Sequence, residues 1–204
     1  MREIILGCDL DSVLNNLNVV WVAWLNNKYS LTVVPNDIEC WDMQKTFNTL
    51  TKKQIYEPLY LESFWNEMSP VEDSQKYLHN LHHDGFIIKI VASSNLSTIE
   101  VKKDWVTTYY PFINREDIRI SYNKQREKVD ILIDDYELNL IGGTYRKILL
   151  DYPYNRACND KLHGINRVYN WNDIYVRLSS RLVVCPWPKC LVGHWVIQEG
   201  RLIS

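Results

Sequence analysis

Residues 4–14 read IILGCDLDSVL. Five small or apolar residues, 4–8, stop abruptly at two carboxylates, Asp9 and Asp11. The run is too short for a signal peptide or a bilayer span. Its length and composition suit a strand buried on both faces of a parallel sheet. Similar runs follow at 86–92 (FIIKIVA), more weakly at 118–121, and at 129–133 (VDILI) and 147–150 (KILL). Between them lie helical patterns. Residues 74–83 put Tyr77, Leu78 and Leu81 on one face, and 98–109 do so with Ile99, Val101, Trp105 and Val106. A last helix ends near Leu178, with Asn172 or Asp173 as its cap. Strands alternating with helices predict an α/β fold, a Rossmann-type doubly wound parallel sheet with right-handed crossovers.

One connection is too long for a simple crossover, since a structureless loop of that size inside a domain is improbable. Residues 15–69 contain helical stretches of their own at 17–28 and 51–59, so they read as a small helical cap inserted after the first strand. The expected division is a core of residues 1–14 and 70–182, a cap of 15–69, and a tail of 183–204 with two short β-like runs around QEGR. The chain has 204 residues, 46% hydrophobic and 24% charged, with a formal net charge of −2. That composition suits one sizeable core. It provides neither the basic surface of a nucleic-acid binder nor a segment that could cross a membrane. Five cysteines, an odd number without a leader, favour reduced thiols and a cytoplasmic setting.

In doubly wound sheets ligands bind outside the carboxyl ends of the strands. Here those ends carry Asp9-Leu10-Asp11, Ser93-Ser94-Asn95 and Asp134-Asp135, with Lys124 and Lys128 in the loop before the last. Four carboxylates at one edge repel one another unless a cation lies nearby. Oxygen ligands without histidine or thiolate suit Mg2+, which often shares its coordination with a phosphate. A hydroxyl and a lysine beside it are what a phosphoryl group needs. Taken singly, Asp-x-Asp is usually a helix cap, Ser-Ser a turn and Asp-Asp a solvated loop. Their joint order, each after a buried strand, is what points to chemistry.

These residues resemble the four motifs of the haloacid dehalogenase (HAD) superfamily: CDLDSVL the first, IVASSN the second, Lys124 the third and LIDD the fourth. They are similar, more narrowly, to the 5'(3')-deoxyribonucleotidases. That family has a strand ending in Thr-Ser-Pro, a lysine ten residues before the acidic pair, and a later pattern that residues 149–156 (LLDYPYNR) match without a gap. The resemblance covers about residues 1–180. It implies an HAD-like fold and a phosphatase in which Asp9 is nucleophile and magnesium ligand. Asp11 would be the general acid/base, with its carbonyl on the ion. Ser93 and Lys124 would hold the phosphoryl oxygens. Asp135 would be the third protein ligand with Asp134 beside it, Ser94 and Lys102 would contact the substrate phosphate, and Asn95 would bind substrate beside them. Ser12 and Asn95 depart from the family's glycine and proline without removing a functional group. The acid at Asp11 suits a phosphatase, which must protonate a leaving oxygen.

Aromatic residues of the cap, Trp41, Phe64 and Trp65 above all, are candidates for stacking on a base, though packing is as good a reading. Trp21 and Trp24 read as core of the cap. Asn26, Asn27, Asn36 and Asn48 leave room for a sugar phosphate instead. Cys185 and Cys190, with Cys158, His163 and His194, lack the paired spacing of a zinc site. The readings are thus a deoxynucleoside monophosphatase, an HAD phosphatase acting on another small phosphorylated metabolite, or a non-catalytic binding module of the same fold. A nucleoside monophosphate is the expected partner, with no nucleic-acid polymer and no membrane. The oligomeric state is open, a homodimer among the options.

Overall fold

The computed structural model describes residues 3–180, with two short paired strands, β7 (Ile197–Gln198) and β8 (Arg201–Leu202), beyond them. In the antiparallel β7–β8 pair Ile197 faces Leu202 and Gln198 faces Arg201, the first and last residues of QEGR. The other residues of the tail, including Cys185, Cys190 and His194, lie outside the described residues.

Six strands form the main sheet: β1 (Ile4–Cys8), β2 (Phe86–Ala92), β3 (Ile118–Ile120), β4 (Ile131–Asp134), β5 (Arg146–Leu150) and β6 (Ile165–Val168). All pair in parallel, in the order β3-β2-β1-β4-β5-β6. The chain winds outward from β1 on one side and from β4 on the other. The crevice between those two is the switch point where ligands of such sheets bind. Leu6 and Cys8 are fully buried. Gly7 permits the close approach of β4, because a Cβ there would meet Leu132 at 3.0 Å and Val129 at 3.1 Å.

Helix α5 (Ser74–His83) lies between the insert and β2, α6 (Ile99–Tyr109) follows β2, and α9 (Trp171–Ser179) packs on α5, where Tyr77 stacks on Tyr175. Two short helices, α7 (Glu137–Leu140) and α8 (Asp160–His163), follow β4 and β5. Several expectations need correction. The sixth strand, β6, is absent from the sequence reading because its residues, INRV, include two half-buried polar side chains at the sheet edge. The cap of α9 is Asn170, whose side chain accepts from the Asp173 amide at 2.8 Å, so Asn172 and Asp173 sit inside the first turn.

Between β1 and α5 the chain forms α1 (Leu17–Tyr29), α2 (Met43–Thr46), α3 (Lys52–Tyr56) and α4 (Glu62–Trp65). The helix expected over 51–59 is interrupted. Thr51 and Gln54 make a reciprocal capping box at the start of α3, and Pro58 cannot extend it, so the chain tightens to a 3-10 turn over Glu57–Tyr60. The two ends of the insert are pinned together. The Asn16 amide donates to the Ser69 carbonyl at 3.0 Å, and the Ser69 amide donates to the Asn16 side chain at 2.8 Å. One hydrophobic cluster runs from Leu6, Ile90 and Ile133 of the sheet into Trp21, Leu25, Ile55, Phe64 and Met68 of the insert. Among the described residues no helix is long and apolar enough to cross a membrane.

Candidate active site

The insert leaves and rejoins the sheet at the carboxyl end of β1, so it covers that edge. Beneath it opens a cavity of about 290 Å³. Asp9, Asp11, Ser93, Ser94, Asn95, Lys102, Lys124 and Asp135 line its polar end. Ile38, Trp41, Met43, Tyr56, Leu59 and Trp65 line the side contributed by the insert. Two sequence candidates are not on its wall. Asp134 is completely buried behind it, and Phe64, 1% exposed, packs edge-on against Trp65 within the core. The reason for Phe64 is helical geometry: adjacent residues of α4 face different ways, and only Trp65 turns to the cavity.

Asp9 directly follows β1, and its amide still donates to the Ile133 carbonyl of β4 at 2.9 Å, which fixes it at the switch point. Lys124, 2% exposed, stands in the short turn Lys124–Arg126, where its Nζ lies 2.7 Å from Asp9 Oδ1 and 2.9 Å from Asp134 Oδ2. Burial lifts the Asp9 carboxyl from 3.8 to about 7, against the pull of Lys124, with Asp134 and Asp11 adding to the rise. Asp135 is raised by the same burial and by Asp134 and Asp9. Lys124 is held charged, because the two carboxylates outweigh its desolvation.

Carboxylate oxygens of Asp9, Asp134 and Asp135 lie within 4.8 Å of one another. Asp134 belongs to this group by distance, but its oxygens are already engaged. They accept from Lys124, from the Tyr136 amide at 2.9 Å, and from Asn139 at 3.0 and 3.2 Å. Asp135 differs. Its Oδ2 accepts from the Tyr154 hydroxyl, while its Oδ1 is buried without a hydrogen-bond partner among the described residues. An orphaned buried oxygen beside a second acidic group fits a hard divalent cation, and the all-oxygen donor set fits magnesium.

Asp11 is held on both sides. Asn15 Nδ2 donates to Oδ1 at 3.0 Å, and Lys102 Nζ donates to Oδ2 at 2.5 Å. Lys102 also donates to the Ser93 carbonyl at 2.8 Å and lies 3.9 Å from the Trp65 ring centre. The sequence reading turned Lys102 toward a phosphate; here its ammonium is committed to Asp11. Ser93 Oγ is exposed and donates to the Ser121 carbonyl at 3.1 Å, and Ser94 Oγ donates to the Asn95 carbonyl at 3.1 Å. Trp41 is 46% exposed and stacks on Tyr136 at 3.8 Å. Sequence reasoning missed Asn15, Asn139, Tyr122 and Tyr154 as parts of this site. Only Tyr154 carried a signal, its place in LLDYPYNR, and no role attached to it.

Residues 2–183 match the model of a family described as 5' nucleotidase, deoxy (pyrimidine), cytosolic type C protein. A 5'(3')-deoxyribonucleotidase of Bacillus subtilis is 33% identical over 180 residues, covering 87% of this chain and 99% of that protein. One from Clostridium acetobutylicum is 33% identical over 159 residues, covering 78% of this chain and 88% of its own length. Among solved structures, an HAD family hydrolase from Deinococcus radiodurans with bound phosphate and sodium aligns with a TM-score of 0.58. It is 13% identical and the match covers 91% of this chain and 99% of that one. A hydrolase from Pseudomonas syringae aligns at 0.56, with 15% identity, over 87% of this chain and 99% of its own. At those identities the structural likeness carries the fold alone, an HAD-like α/β sheet.

Proposed function

This chain belongs to the family of cytosolic type C 5' deoxy(pyrimidine) nucleotidases and is a hydrolase of the phosphatase type, and from that premise we propose that it is a magnesium-dependent 5'(3')-deoxyribonucleotidase working through an aspartyl-phosphate. The observation that carries the reading is the pairing of a buried Asp9, charge-balanced by Lys124, with the Asp135 Oδ1 that has no hydrogen-bond partner among the described residues, under an apolar, partly aromatic cover.

Asp9, Asp135 and the Asp11 carbonyl would hold the ion, with Asp134 behind them fixing Lys124. When bound, magnesium neutralises the carboxylates and draws charge from the phosphoryl oxygens. An Asp9 carboxylate oxygen attacks phosphorus, the bond to the nucleoside oxygen breaks, and the Asp11 carboxyl gives that oxygen its proton. The Asp11 carboxylate then takes a proton from water, which attacks the aspartyl-phosphate and releases inorganic phosphate, restoring Asp9. Asn15 and Lys102 keep Asp11 in place, and the Lys102 ammonium pairs with its ionised form, the base of the second step. Lys124 and Ser93 bind the phosphoryl oxygens, with Ser94 and Asn95 shaping the wall beside them. The insert excludes water and receives the base. Free thiols at Cys8, Cys40 and Cys158 support the cytoplasmic setting.

The test is phosphate release from a panel of nucleoside monophosphates, hexose phosphates and an aryl phosphate, with magnesium and with chelator. Deoxynucleoside monophosphates should give the highest kcat/KM, and chelation should abolish turnover until magnesium is restored. Preference for hexose phosphates would replace the nucleotidase reading with that of another small-metabolite phosphatase. No release from any substrate would point to the non-catalytic module.

A further inference from the structure

The Asp135 carboxylate has one open side, and the rest of it is held by residues outside the four motifs. Its main-chain carbonyl accepts from Asn155 Nδ2 at 2.8 Å, and its Oδ2 accepts from the Tyr154 hydroxyl. A phenolic hydroxyl has one proton to donate and can accept as well. The accepting side of Tyr154 is taken by Asn18 Nδ2 of α1, at 3.1 Å. The hydroxyl rotor is therefore set, with its proton directed at Asp135 Oδ2. The Tyr154 ring is also fixed: it lies parallel to Tyr152 at 5.3 Å and edge-on to Trp41 at 5.5 Å. Its backbone belongs to a short turn, Pro153–Asn155, braced by Arg167 of β6, which donates to the Asn155 side chain at 2.5 Å and to its carbonyl at 3.0 Å.

We propose that Tyr154 is a positioning residue whose hydroxyl, oriented by Asn18, fixes the Asp135 carboxylate so that Oδ1 is presented to a divalent cation. The inference rests on the reading of Asp135 as a magnesium ligand. The physical reason is conformational. A carboxylate whose two oxygens are equally free can rotate and divide its charge between them, and the ion must then freeze that rotation on binding. Occupying Oδ2 in advance lowers that cost and leaves a single ligand atom.

The experiment is calorimetric titration of magnesium chloride into the full chain and into Tyr154→Phe and Asn18→Ala. Phenylalanine keeps the ring and its stacking while deleting the hydroxyl. Tyr154→Phe should weaken magnesium binding about tenfold or more, while the metal-free variant still unfolds in one cooperative transition, at a Tm lowered by the two hydrogen bonds lost. Asn18→Ala should weaken it in the same direction by less. Unchanged affinity in a folded Tyr154→Phe overturns the proposal. Should that variant fail to fold, Asn18→Ala decides, and wild-type affinity there overturns it equally. If the wild-type chain takes up no magnesium, the metal reading falls and this inference with it. If wild type binds magnesium but releases no phosphate from nucleotides, the proposed reaction fails while the role of Tyr154 stands or falls on the affinities alone.

Discussion

Lys124 stands between Asp9 and Asp134 with almost none of its surface in water, so the three side chains share one charge balance. Removing one member of a buried ionic group leaves the others uncompensated, which costs about 3–5 kcal/mol. Lys124→Met should therefore lower stability by that order in urea unfolding of the metal-free protein, and phosphatase activity should vanish with it. A loss below about 1 kcal/mol, the scale of an exposed ion pair, would mean the lysine is not the counter-charge it looks to be. Asp9 behaves in the opposite way. Its carboxyl titrates at 3.8 in ordinary surroundings and at about 7 in the fold. The fold therefore prefers the protonated form. Its contribution to stability is complete below 3.8 and is lost as pH rises through 7. Magnesium binds the ionised form, so the rise in Tm on adding magnesium should be larger at pH 8 than at pH 5.5. Equal rises at both values would separate the ion from Asp9. Asp9→Asn should abolish turnover in a magnesium-replete assay while melting no lower than wild type at pH 8 without metal, since a neutral amide is cheaper to bury there. Appreciable turnover would exclude Asp9 as nucleophile.

The turn that follows β1 shows how an element serves these residues. Ser12 adopts a φ of 60°, a left-handed conformation that L side chains rarely take. It is held by Asn15, whose side-chain oxygen accepts from the Ser12 amide at 3.1 Å and from the Leu17 amide at 3.1 Å while its nitrogen holds Asp11. The same side chain thus bends the turn, starts α1 and aims the acid. The family's glycine at this position has a physical meaning: it takes that φ without strain. Relief of the strain is worth about 1–2 kcal/mol, less about 0.4–1 kcal/mol for the freer unfolded chain. Ser12→Gly should accordingly raise the urea midpoint by a small amount with m unchanged, and a lower midpoint would show that the Ser12 side chain contributes more than its strain costs. Elements with continuous apolar runs or clean amphipathic periods were legible in the sequence: β1, β2 and α5 fall where the pattern puts them, to the residue. The edge strand β6 was not, since half its residues are polar. Nor were Asn15, Asn139 and Tyr154: Asn15 and Asn139 reach carboxylates four and five residues back only because of how their turns bend, and Tyr154 reaches Asp135 across nineteen residues, so none leaves a period to read.

At the scale of the molecule, a parallel sheet brings three distant strand ends together at its switch point, and the insert places an apolar cover over them. Motif order alone made the polar end of the cavity legible. The cover was legible only as a set of aromatic residues, because which of them faces inward depends on how α1–α4 pack. Phe64 is core, Trp65 faces the cavity, and Trp41 sits at its rim on Tyr136. The two tryptophans should therefore behave differently. Trp65 covers the Lys102 ammonium that holds Asp11, so Trp65→Ala should slow an aryl phosphate and a deoxynucleotide alike. Trp41 is 46% exposed, stacked on Tyr136 and edge-on to Tyr154, and a base reaching the rim can use it as a stacking surface. Stacking of a base on an aromatic side chain is worth about 1–3 kcal/mol. Trp41→Ala should then lower kcat/KM for a deoxynucleoside monophosphate by about 5- to 150-fold, those energies converted at about 1.4 kcal/mol per factor of ten. Turnover of a small aryl phosphate, which fills only the polar end, should fall less, by no more than the lost edge contact on Tyr154 costs. Equal losses on both substrates would make Trp41 a clasp between insert and sheet through Tyr136, with the base held elsewhere along the wall formed by Ile38, Met43 and Tyr56.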